Sequence, residues 1–132
     1  MTSREIRLGF VGDFCLAMAQ NKPAAYLDSA YKISSELNKE VDLAIANFEF
    51  CISPIETSEE DGMALPENKA GNIADADFDI FCLSNNHIGD YGDDILLNTK
   101  SFLENCGHKT LGVGQNIEEA YKPLYINKNG FD

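Results

Sequence analysis

The chain has 132 residues, of which 22 are acidic and 10 are lysine or arginine, a formal net charge of −12. That balance argues against a nucleic-acid backbone as partner, since phosphate binding needs a basic footprint. It fits a protein that gathers carboxylates around cations, and equally a soluble acidic surface; the length allows a single domain whose core needs no disulfide staple.

Residues 6–11 (IRLGFV) read as a first strand, ended by Gly12-Asp13. A helix is expected over residues 21–40, with Pro23 in its first turn and Leu27, Ala30, Tyr31 and Leu37 at helical spacing. Residues 41–47 read as a second strand, with Leu43 and Ile45 on one face and alanines on the other, leading into Asn47 and Glu49. Residues 50–68 contain Ser53, Pro54, Pro66 and the acidic run Glu59-Glu60-Asp61, the composition of a solvated loop. A short helix fits within residues 69–77.

Residues 78–83 (FDIFCL) are short, apolar and aromatic-rich, as a strand buried on both faces is. The following SNNHIGDYG cannot continue it, and Gly89 and Gly92 permit turns. Asp93 or Asp94 is expected to cap a helix that runs to about Cys106, buries Ile95, Leu96, Thr99, Phe102 and Leu103, and stops at Gly107. A fourth strand is expected over 110–113. Asn116 with Glu119 forms a capping-box pattern for a short helix ended by Pro123. A fifth strand over 124–126 would then enter an Asn129-Gly130 hairpin turn. The return strand stops at Asp132, so residues 1–132 read as one truncated domain.

Strand and helix alternate, which predicts an α/β domain with a mainly parallel sheet. Right-handed crossovers would bring the ends of the first three strands to one edge, where open parallel sheets carry their chemistry. Those ends hold Asp13, then Asn47 with Glu49, then Asn85, Asn86 and His87. Carboxylate and amide oxygens are hard donors suited to magnesium, manganese or similar cations. Two such cations clamp a phosphoryl-type transition state and activate water, and an adjacent histidine can act as general acid. Each residue also has a plainer reading: Asp13 and Glu49 as loop acids, the asparagines and His87 as turn residues, with Asn85 structural. Of the four cysteines, none of which forms a close CxxC pair, Cys15, Cys51 and Cys82 are expected as apolar filler. His108, after the helix-ending glycine, is expected to be exposed. The chain has no signal-type apolar region and no segment of membrane-spanning length, so the expected setting is cytoplasmic, with reduced thiols.

The segments GFVGDFCLA, DLAIANFEFCIS, LSNNHIGDYG and GVGQNIEEAYKP occur in this order between residues 7 and 130. They resemble the ordered motifs of the bacterial capsule synthesis CapA family. That family is associated with poly-γ-glutamate capsules and related to calcineurin-like metallophosphoesterases. The NNH…DYG segment is the most specific of them. The resemblance implies a metallophosphoesterase-like α/β/β/α sandwich, of which this chain would hold mainly the first, largely parallel βαβ half. By matching position, Asp13 would be the first metal ligand, Glu49 the bridging acid and Asn86 a ligand of the second metal. His87 would be the catalytic histidine, Asp90 would orient it or its loop, and Asn47 would pack or hydrogen-bond nearby. The cofactors would be divalent metal ions: manganese, magnesium, iron or zinc.

Two departures bear on this. The superfamily's Asp-x-His is Asp13-Phe14-Cys15 here, as is general for the CapA group. The superfamily also draws further histidines from a C-terminal half, and the only other histidine here is His108. The expected function is therefore a metal-dependent phosphoesterase-type hydrolase in capsule or poly-γ-glutamate biosynthesis, weak or inactive alone, acting on a small molecule or an anionic polymer. The alternative is a non-catalytic accessory that binds such a polymer through cations. A receiver-like or nucleotide-binding domain is a third reading, opposed by the lack of a lysine over residues 110–114 and of a GxxxxGK[ST] loop. An uncovered sheet face presenting Leu43, Ile45, Ile80 or their alternates would drive self-association.

Overall fold

A computed structural model describes residues 5–57 and 62–131; the Glu59-Glu60-Asp61 run lies outside them. The elements are β1 (Leu8–Phe14), α1 (Ala24–Asn38), β2 (Leu43–Phe48), β3 (Cys51–Ser53), β4 (Ala64–Pro66), α2 (Glu67–Ala70), β5 (Ile80–Cys82), α3 (Asp93–Asn105), β6 (Lys109–Leu111) and α4 (Ile117–Ala120). Short 3-10 turns occupy Ala17–Ala19 and Ile73–Ala76. The fold is α/β: β1, β2, β5 and β6 form a parallel sheet in the order β1-β2-β5-β6. All four carboxyl ends therefore lie along one edge.

The first strand does not stop at Gly12-Asp13. It runs on to Phe14 through a register shift between Val11 and Asp13. Strict alternation would turn Asp13 toward the side where Ala46 and Phe48 are buried. The extra residue, Gly12, resets the strand so that Asp13 pairs with Asn47 and Phe14 with Phe48. The carboxylate thus escapes the core and the ring enters it. Phe14 meets Phe48, Phe50, Phe78 and Phe81 with ring centroids 5.2–6.4 Å away. This aromatic cluster is the centre of the core beneath the strand ends.

The predicted loop over 50–68 contains two strands. β3 and β4 pair in parallel as a separate two-stranded sheet, and every residue of both is buried. α3 completes their hydrogen bonding: the Ile52 N–H donates to Thr99 Oγ1 at 2.9 Å, and Asn98 Nδ2 donates to the Ile52 carbonyl at 3.1 Å. Three-residue strands are too short to show a period. Their partners on α3 come from a later part of the chain.

Other departures are local. Gly92, not Asp93 or Asp94, is the N-cap of α3; the two aspartates lie in its first turn, where the helix dipole favours them. Gly107, with φ +97°, ends that helix as expected. The Asn116 side chain accepts from the Glu119 N–H at 3.0 Å, while Glu119 Oε2 takes the Gln115 N–H. Residues 124–126 form no strand, yet the hairpin turn is present. Asn129 and Gly130 have φ of 55° and 79°, and Lys128 and Phe131 exchange both backbone bonds at 3.0 Å. His108 is buried, not exposed: its Nδ1 lies 2.7 Å from the Phe78 carbonyl and its ring stands edge-on to Phe81. The strand start draws it inward, because Lys109 pairs with Ile80 directly after it.

One sheet face carries the register row Phe10, Ile45 and Ile80. Ile80 and Leu43 are buried, contrary to expectation. Within the strands of this sheet, the exposed large apolar side chains are those of the edge strand, Leu8, Phe10 and Val11, with Phe10 at 71%. A central strand is screened by neighbours on both sides, and an edge strand is not. Among the described residues, no helix is long and apolar enough to cross a membrane.

Gly112 follows β6 with φ +92°, and a Cβ there would stand 2.7 Å from Ser84 Cβ and 2.9 Å from Ser84 N. That contact holds the start of the loop after β5. Gly112→Ala combines a left-handed backbone penalty with overpacking against a main chain, together about 2–4 kcal/mol. Urea denaturation is expected to show a loss of that size, with Gly89→Ala, which meets open space, as the milder comparison.

Candidate functional site

Asp13 at the end of β1 and Glu49 just past β2 converge on one group. Asn47 Nδ2 donates to Asp13 Oδ1 at 2.8 Å and also to Glu49 Oε2. The Glu49 N–H donates to the Phe14 carbonyl at 3.1 Å, which continues the β1–β2 pairing and holds Glu49 at the rim. Asp13 is exposed, and Asn47 and Glu49 are half-buried.

Asn85 joins this group from the loop after β5. Its Nδ2 donates to the Phe48 carbonyl at 2.8 Å and to Asn47 Oδ1 at 3.2 Å. Its Oδ1 accepts from the N–H groups of His87 and Ile88 at 3.0 and 2.9 Å. An Asx turn of this kind shapes the loop that carries His87.

His87 and Asp90 form the second cluster. His87 Nδ1 lies 3.0 Å from Asp90 Oδ2, and the same oxygen accepts the Met63 N–H at 3.0 Å. An ionised carboxylate only accepts, so Nδ1 carries the proton and Nε2 is the position that takes or gives one. Burial works against the Asp90 charge. The Met63 N–H and the His87 ring outweigh it and hold the carboxyl below its ordinary value of 3.8. Because the folded value is depressed, the stabilisation is present above pH 3.8 and is lost as the pH falls through the folded value. Asp90→Asn is expected to be less stable than the wild type at pH 7. The gap should close as denaturation is repeated toward pH 3.

Cys51 supports the loop from beneath. Its Sγ lies 3.2 Å from the His87 carbonyl and 3.1 Å from that of Ile88, and burial pushes its thiol up to about 11. Cys15 sits beside the carboxylates: burial raises its thiol, and the Glu49 and Asp13 charges add to the rise. Its Sγ lies 3.9 Å from Met63 Sδ.

The structure therefore joins Asp13, Asn47, Glu49 and Asn85 into one network and pairs His87 with Asp90. Asn86 is exposed and, among the described residues, has no hydrogen bond to Asp13, Asn47 or Glu49. Cys51 is buried, as expected of apolar filler; its contacts to the loop and the Met63 N–H were not foreseen, since β3 and β4 bring them in and leave no local signal. Sequence reasoning read Asn85 as structural, and the Asn85 side chain indeed ties the loop N–H groups to Asn47 and the Phe48 carbonyl.

The two carboxylates directed at the Asn47 amino group are oxygen donors of the kind a magnesium-type cation takes. Among the described residues, no group of three histidine, cysteine, aspartate or glutamate side chains gathers to hold a metal.

No curated protein matches the chain. The family model for bacterial capsule synthesis protein PGA_cap matches residues 7–132, a span that takes in both clusters, and the chain belongs to that family.

Proposed function

We propose that this site is a metal-dependent phosphoesterase-type hydrolase centre serving capsule or poly-γ-glutamate synthesis. One observation carries the reading: Asp13 and Glu49, from different strand ends, point their oxygens at the same Asn47 amino group. A divalent cation there, when bound, would polarise a phosphoryl oxygen and activate water. Asp13 and Glu49 would hold it, with Asn86 completing the shell. His87, its Nδ1–H directed at Asp90, would as the imidazolium deliver its Nε2 proton to the leaving oxygen.

A second reading, a non-catalytic accessory that binds an anionic polymer through cations, is favoured by the exposure of Asp13 to solvent at its strand end. Turnover of a generic phosphodiester with and without manganese separates the two. Hydrolysis that requires manganese and disappears in Asp13→Asn supports the first. Manganese binding with no turnover supports the second, and no manganese binding by the wild type counts against both.

A further inference from the structure

We propose that Asn85 is a positioning residue that sets which end of the Asn47 amide faces Asp13 and Glu49. The Asn47 amino group then holds the two carboxylates together in the metal-free protein. The orientation of Asn85 is not free. The His87 and Ile88 N–H groups are donors, so the atom they reach must be its oxygen. Its nitrogen then faces the Phe48 carbonyl, a pure acceptor, and its second hydrogen reaches Asn47 Oδ1.

That last bond orients Asn47. Turning its amide over would set two NH2 groups against each other and a third oxygen against two carboxylates. Backbone groups of β2 and of the His87 loop thereby decide, through Asn85, that Asp13 and Glu49 meet a donor. Two like charges sharing one donor repel less than two left bare. A cation entering between them must displace that amino group, and Asn85 resists the displacement. Only this final step rests on the cation reading above.

Asn85→Ser is the test. The hydroxyl can still accept from the loop N–H groups but is too short to reach Asn47. In the metal-free protein, NMR exchange of the Asn47 side-chain amide is expected to be slow in the wild type and about three- to tenfold faster in the variant, the worth of one net hydrogen bond. Manganese affinity by calorimetry is expected to tighten by about the same factor. A merely structural Asn85 would lower stability while leaving the Asn47 amide signal and the metal affinity as they were, and that result overturns the proposal. If Asn85→Ser does not fold, Asn85→Asp keeps the accepting oxygen and is read by the same amide exchange. If the wild type binds no manganese, the cation reading fails, and the metal-free exchange rates still decide the role of Asn85.

Discussion

Phe48→Ala is expected to cost about 3–5 kcal/mol of folding stability, a large share of the roughly 5–15 kcal/mol that holds such a domain. The ring is fully buried. It stacks on Phe50 at 4.1 Å and meets Phe81 edge-on at 5.0 Å. Its neighbours are rings tied to strand ends, and the strand register keeps them from closing the space that truncation leaves. The loss therefore includes the cavity as well as the transfer of the ring. The Phe48 carbonyl also receives Asn85 Nδ2, so slack at this strand end should reach the site. Urea denaturation measures the effect, with Phe10→Ala as control. That ring is exposed on the edge strand, and its removal is expected to stay within about 0.5 kcal/mol. Equal costs for the two would mean that the aromatic cluster is not the core described above.

The second large effect is chemical. Under the hydrolase reading, His87→Ala is expected to reduce manganese-dependent turnover by roughly a hundred- to ten-thousand-fold, the usual worth of a positioned general acid. Manganese binding should be little changed, because the carboxylates that would hold the cation bond to Asn47 and not to the imidazole. Asp90→Asn should fall between wild type and His87→Ala. The amide keeps the size of the carboxylate but can offer Nδ1 a donor in place of an acceptor, and so permits the wrong tautomer. Parallel measurement of turnover and metal affinity checks this. A His87→Ala protein that loses manganese as well as turnover would place the imidazole among the ligands.

The succession of strand-like and helix-like segments announced the parallel sheet, the two long helices and the loop after β5, because buried parallel strands leave continuous apolar runs and amphipathic helices leave a period in the sequence. The Asn129-Gly130 turn and the Asn116 cap were legible for a different reason, namely that their side chains and backbone conformations act within a few residues. The convergence of Asp13, Glu49 and the Asn85 loop followed from topology once the strands were assigned.

Asp13 shows where such reading stops. Its residue type marked it as a site candidate, but only the Gly12 register shift turns it outward beside Asn47, and a bulge is a bargain between two strands. β3, β4 and the supports they supply to His87 and Asp90 were invisible for a related reason. Cys51, Met63 and Thr99 act through backbone bonds to distant segments, and a bond of that kind leaves no period behind it. Local order in the chain was thus enough to name the strands of the main sheet, the long helices and the acidic and imidazole groups. Which of those groups share a proton donor, and which stand apart as Asn86 does, was settled by packing, since it depends on contacts between residues that are neighbours only in space.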